Sequence, residues 1–330
     1  MSSTSLSETI GVAREDRAEK HEIHPRWTRY ARTPLALAAD LLFLTRPVLL
    51  GPVWVVYGAG AVLAGSAPGI DLLFVSFVVA GVYIHNQLTD ISNDRANRKL
   101  FLLSDGHVSH RAALTLTAML WSAGILWSAT QGIRSVLFAL AIVLGLLYNG
   151  LRQPGWKSRP LLGLVANALA HGVITFVAGF TAAGGTIFEG IVRSIPYAFA
   201  VAAVYLATTI VDENGDRLTN KRTFCVVYGR AACTRWIAGL VCAAAVTAAA
   251  NGDGWMAAAA IVSLVPAFLL LRAPAVGNAQ RAAVIAVSVL ALAVAVRWTT
   301  LFVLAAATFA ATRYYYRLRF GVVYPTLGSG

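Results

Sequence analysis

The chain has 330 residues, 58% hydrophobic and only 13% charged, and its mean hydropathy of +0.66 excludes an ordinary soluble domain. Its 27 Lys and Arg against 15 Asp and Glu give a net charge of +12. These charges lie between apolar runs rather than on one solvated face, which excludes a nucleic-acid binder and suits anionic lipid headgroups or an anionic substrate.

Residues 1–34 are polar and lack the short apolar core and small-residue cleavage site of a removable signal peptide. They read as a mobile cytoplasmic segment. HPRWTRYARTPLALAADLLFLTRP, residues 24–47, is the expected interfacial helix, because Trp27, Tyr30 and the Arg residues favour the headgroup layer. The membrane domain is expected over 35–320, followed by a tail over 321–330.

Apolar runs long enough to cross a bilayer, about 20 residues each, occur near 47–65, 71–89, 112–130, 133–150, 161–184, 193–211, 233–250 and 254–272. The next stretch, 281–316, is too long for one untilted crossing. It is either one span with an extension or two spans broken near Arg297 and Trp298. The favoured count is nine, giving an all-α, polytopic bundle. Basic residues crowd 90–111, 151–160 and 212–235, which places these connections and the N-terminus in the cytoplasm. A nine-span chain leaves RYYYRLR, residues 313–319, outside against this rule, whereas a tenth span returns it inside.

Span two closes with HNQLTDISNDRANRK, residues 85–99, and span six with TTIVDENGDRLTNKRTF, residues 208–224. On a continuing helix Asn86, Asp90 and Asp94 share one ridge, and Asp212 and Asp216 repeat the spacing. Four carboxylates close to lipid repel one another unless cations sit among them. Oxygen ligands with room for water suit Mg²⁺, which shares its shell with substrate phosphates. Nearby cations, Arg95, Arg98, Lys99, Lys157, Lys221 and Arg222, can meet phosphate oxygens. The residues therefore point to a magnesium diphosphate site at the membrane face.

Other polar residues are less decisive. Asn167 and His171, four apart in span five, bind an acceptor, take a proton or, more often for such a pair, hydrogen-bond between helices. Arg297 snorkels, marks a break or pairs with an acid. Glu213 points about 100° away from Asp212 on a continuing helix. Cys225, Cys233 and Cys242 have neither disulfide nor zinc spacing, and His85, His107 and His110 show no ligand pattern.

NxxxDxxxD closing span two, DxxxD closing span six and the GDRxxxKRT pattern that follows resemble the UbiA superfamily of intramembrane prenyltransferases, over about 47–316. YNGLRQPGWKSRP, residues 148–160, resembles that family's Tyr and Lys segment, with Arg152 at the usual Lys position and Lys157 further on. The resemblance implies Mg²⁺ held by Asn86, Asp90, Asp94, Asp212 and Asp216, with the donor diphosphate met by Arg95, Lys99, Tyr148, Arg152, Lys157, Lys221 and Arg222. It implies transfer of a prenyl group from a polyprenyl diphosphate to a lipophilic acceptor, at the cytoplasmic side of the inner cell membrane. Two alternatives stand beside it. One is a terpene cyclase of the same fold that needs no acceptor; the other is an ion-coupled transporter, whose acids usually sit at mid-membrane on interrupted helices.

Overall fold

The computed structural model describes residues 33–96, 101–151 and 154–325, apart from the side chains of Asn93, Arg95, Ala96 and Phe101. Sequence punctuation sets the helix starts. Pro34, Pro47 and Pro160 each stand in the first turn, where the missing N–H costs nothing. Thr33, Ser109, Thr186 and Asp253 accept backbone N–H groups as N-caps.

Helix α1 (Pro34–Leu44) leads at a 42° bend into α2 (Pro47–Leu63). Then come α3 (Asp71–Thr89), the short α4 (Ile91–Ala96) and α5 (Phe101–Ser104), α6 (His110–Ser128) and α7 (Ile133–Asn149). The next rod runs as α8 (Pro160–Asn167), a π-helical stretch (Ala168–Ile174) and α9 (Thr175–Ala182). The second half holds α10 (Ile187–Val211), α11 (Glu213–Leu218), α12 (Phe224–Tyr228), α13 (Arg230–Ala250), α14 (Gly254–Arg272), α15 (Val276–Ala295) and α16 (Thr300–Phe320).

Helices α3, α6 and α7 pack together, while α10, α13, α14 and α15 form a four-helix group. That group encloses a cavity of about 40 Å³ lined largely by alanine, including Ala203, Ala207, Ala260 and Ala267. Helix α2 joins the halves, packing mainly on α9 and also on α3, α15 and α16. Its contact with α9 is backbone to backbone. A Cβ on Gly60 would stand 2.2 Å from the Phe176 carbonyl oxygen, and one on Gly179 would stand 2.0 Å from that of Tyr57. Small residues permit this approach, which is how helices associate where lipid removes the hydrophobic drive between them.

The outer surface is apolar, with Phe188 at 77%, Leu126 at 75% and Phe302 at 68% exposure. Among the described residues six helices are long and apolar enough to cross a membrane, or seven with α1 and α2 taken as one bent span. The protein is an integral, multi-pass membrane protein. The single-span reading of 281–316 gives way, and with it the basis for nine: the chain forms two helices, α15 and α16, broken at 296–299. Arg297 marks that break and donates to the Val62 carbonyl at 3.2 Å, tying it to the end of α2.

As a result α16 returns RYYYRLR to the end of the bundle that carries the acidic segments. There Asp40 accepts hydrogen bonds from Tyr315 Oη at 2.6 Å and from Arg319 Nε and Nη2 at 3.1 and 3.2 Å. Both charged partners are 2% exposed. Removing one member of such a pair strands the other charge in the interior. Asp40→Ala is expected to destabilise the fold by about 3 kcal/mol, read as a lowered unfolding temperature in detergent, while Asp40→Leu combined with Arg319→Met recovers most of the loss.

Candidate functional site

The two acidic segments share a local design. Helix α3 ends at Thr89 with Asp90 at its C-cap (φ −113°, ψ 15°), and α4 begins at the next residue. Helix α10 ends at Val211 with Asp212 at its C-cap, followed at once by α11. Each bend is bridged by a backbone hydrogen bond, Asp94 N to Asp90 O at 2.7 Å and Asp216 N to Asp212 O at 2.9 Å. The expected single ridge along a continuing helix is therefore corrected to a span end plus a separate short helix, one Asp on each. The short helices α4 and α11 pack against each other, so segments more than 100 residues apart in sequence meet on one face of the protein.

Two ammonium groups fill the space between them. Lys157 Nζ lies 2.7 Å from Asp90 Oδ1, donates to Thr89 Oγ1 at 2.7 Å and approaches Asn86 Oδ1 at 3.5 Å. Its side chain is 2% exposed. Lys221 Nζ bridges the segments, 3.3 Å from Asp90 Oδ2 and 3.9 Å from Asp216 Oδ1. Burial pulls Lys157 below the ordinary lysine range despite Asp90 beside it. Burial acts on Lys221 in the same sense, but there the fields of Asp90, Tyr148 and Asp216 win and hold its ammonium above that range. Cations are thus already required where the carboxylates converge.

Tyr148 reaches this region from the end of α7, its hydroxyl against Asn167 and Tyr205 and within the field of Lys221 and Asp90. Asp212 and Asp216 both lie within electrostatic range of Tyr205. Arg222 is exposed and makes no ion pair among the described residues, because adjacent positions diverge and Lys221 takes the inward direction. Lys99 and Arg152 lie outside the described residues, as does the side chain of Arg95. Glu213 turns away from the site, buried and held by Arg217 and Arg230. Burial raises its carboxyl, but those hydrogen bonds outweigh it and keep the pKa below the usual carboxylate range.

Arg46 is a residue that sequence reasoning missed. It stands between α1 and α2 in the left-handed region (φ 56°, ψ 61°), costly for a side-chain-bearing residue. Its Nη2 lies 3.5 Å from Asp94 Oδ2, and its Nε is buried without a hydrogen-bond partner among the described residues. An Arg-Pro pair at a span entrance looks like an ordinary membrane anchor. The signal available was only its place beside Pro47.

The donor set of Asn86, Asp90, Asp94, Asp212 and Asp216 is all oxygen, which suits Mg²⁺. Among the described residues no three His, Cys, Asp or Glu side chains converge closely enough to hold a metal ion alone. Magnesium commonly takes only one or two carboxylates and completes its shell with water and phosphate oxygens. The shared ammonium of Lys221 shows that Asp90 and Asp216 reach one cation, so the residues fit the ion.

The UbiA prenyltransferase family model matches residues 44–281. The chain belongs to the UbiA prenyltransferase family. It is 27% identical over 163 residues to a digeranylgeranylglyceryl phosphate synthase of Saccharolobus solfataricus, covering 48% of this chain and 56% of that protein. The enzyme of the same name from Sulfolobus acidocaldarius is 29% identical over 163 residues, covering 48% and 57%. The match therefore spans a little over half the length of these curated relatives. A UbiA homologue from Archaeoglobus fulgidus, solved bound to GPP and Mg²⁺, shares the fold with a TM-score of 0.63 at 18% identity, covering 80% of this chain and 99% of that one.

Proposed function

We propose that this protein is a Mg²⁺-dependent prenyltransferase that moves a prenyl group from a polyprenyl diphosphate to a lipophilic acceptor and releases pyrophosphate, on the cytoplasmic side of the cell membrane. The observation that carries the reading is Lys221 bridging Asp90 and Asp216, with Lys157 beside it. Lysines packed among carboxylates at a membrane face offer positive charge to diphosphate oxygens while the acids hold divalent ions. Bound magnesium, held by Asn86, Asp90, Asp94, Asp212 and Asp216, would supply further positive charge to the leaving group. Lys157 and Lys221 orient the diphosphate and stabilise the departing pyrophosphate. The apolar interior of the bundle keeps water from the electron-poor prenyl carbon. Relatives named for prenyl transfer and a fold neighbour solved with GPP and Mg²⁺ support the reading.

Purified protein supplied with Mg²⁺ and prenyl diphosphates of several lengths is expected to release pyrophosphate, to stop when the metal is chelated, and to prenylate a lipophilic acceptor identified by mass spectrometry. A cyclised product formed without acceptor would assign a cyclase instead. Solute uptake into vesicles without pyrophosphate release would assign a transporter. Arg46, paired to Asp94, is expected to contribute to diphosphate binding. Arg46→Gln should raise the KM for the donor about tenfold, the loss of one charge-assisted hydrogen bond, with kcat changed less.

A further inference from the structure

The π-helical stretch Ala168–Ile174 interrupts the rod from Pro160 to Ala182 and carries His171 at its middle. Such widenings are uncommon and recur at functional sites. Gly172, the next residue, seats the stretch on α10, where a Cβ would stand 2.5 Å from the Ala198 Cα. This presses one side of the turn against α10 and presents His171 to α3. The imidazole stacks on the ring of Tyr83, centroids 6.1 Å apart and planes 29° apart. Tyr83 is fixed in turn by donating to the Leu49 carbonyl of α2 at 3.2 Å. His171 therefore faces Tyr83 of α3, while the turn that carries it packs on α10.

Two properties separate His171 from an ordinary packing histidine. Its ring has no hydrogen-bond partner and no charged neighbour among the described residues, although polar groups inside a membrane bundle normally bond across helices. It also keeps part of its surface exposed at mid-span. The stacked Tyr83 lies one helical turn before Asn86 and two before Asp90, a rise of about 4.5 and about 10 Å. Asn167, one turn before His171, donates its amide to Gly163 O at 2.9 Å and meets Tyr148, continuing the polar face toward the acidic segments.

We propose that His171, stacked on Tyr83, holds the hydroxyl of the acceptor and takes its proton during transfer. This rests on the prenyl-transfer reading above. The hydroxyl oxygen forms the new bond to C1 of the prenyl group, the C1–O bond to the diphosphate breaks with its electron pair leaving on pyrophosphate, and the hydroxyl proton passes to the unprotonated ring nitrogen of His171. The acceptor class is a lipophilic molecule with a free hydroxyl.

The test uses the full chain in nanodiscs with Mg²⁺, geranylgeranyl diphosphate as donor, and two probes, an alkylphenol and a glycerol monoalkyl ether. Prenylated probe and free prenyl alcohol are quantified together. His171→Gln and His171→Ala are expected to lower the ratio of prenylated probe to prenyl alcohol about 100-fold, the scale of a lost general base, with added imidazole restoring part of the ratio in His171→Ala. An unchanged ratio in both variants overturns the assignment. So does an equal fall of both products, which would place His171 with the donor. If the wild-type protein makes prenyl alcohol but prenylates neither probe, the ¹⁵N signals of His171, identified by their loss in His171→Gln, decide: a shift on adding a probe supports the site, and no shift overturns it. Absence of pyrophosphate release from any prenyl diphosphate in the wild type would instead mark failure of the prenyl-transfer reading itself.

Discussion

Asp90→Asn is expected to lower pyrophosphate release at least about 100-fold, the scale of losing one preorganised electrostatic contact at a reacting centre. Asp90 holds two ammonium groups of the site, Lys157 on one oxygen and Lys221 on the other. Neutralising it removes a proposed magnesium ligand and the group that pairs with both lysines. It also leaves Lys157, 2% exposed, with only Thr89 and Asn86 as partners, so some stability is lost as well. Activity is therefore measured per folded molecule, after size-exclusion chromatography. Asp90→Glu keeps the charge and separates the effects: it should fold like the wild type yet stay impaired, because an added methylene moves the carboxylate away from Lys221. Asp94→Asn should cost less, since the ion pair of Asp94 with Arg46 is longer, at 3.5 Å.

The second large effect concerns the joint between the halves. Gly179→Leu is expected to prevent α2 from docking on α9, because even a Cβ there would stand 2.0 Å from the Tyr57 carbonyl oxygen. The obstacle is backbone and has no flexible end to move. Overpacking a tight core costs about 1–3 kcal/mol where neighbours can adjust, and here the helices must separate. The variant should lose its cooperative thermal transition in detergent and aggregate. Gly239→Leu, where a Cβ meets nothing within 4 Å, is the control and should unfold like the wild type.

How far the sequence carries can be judged from particular residues. The eight apolar runs read between 47 and 272 each fall on a helix or helical rod from α2 to α14, because hydrophobic length is a strong signal in lipid. The meeting of the two acidic segments was legible from their shared spacing at span ends. The bends at Asp90 and Asp212 were not, since carboxylates spaced four apart suit an unbroken helix equally well. The break before α16 stayed one of two readings because AVAVRWTTLFVL contains neither Gly nor Pro to force it. Choosing Lys221 over Arg222 depends on the turn at Asn220, whose positive φ of 55° no periodicity reveals. Arg46 and the π-helical setting of His171 are tertiary facts. One depends on the bend between α1 and α2, the other on where Gly172 meets α10.

The account stands on two distant acidic segments gripping one diphosphate through shared divalent ions. Mn²⁺ substituted for Mg²⁺ in the presence of pyrophosphate, followed by electron–nuclear double resonance, tests this directly. Wild-type protein should show bound Mn²⁺ coupled to ³¹P, and either Asp90→Asn or Asp216→Asn alone should remove most of that signal. A ³¹P-coupled Mn²⁺ signal that survives loss of either acid unchanged, or Mn²⁺ that binds the protein without any ³¹P coupling, would contradict it.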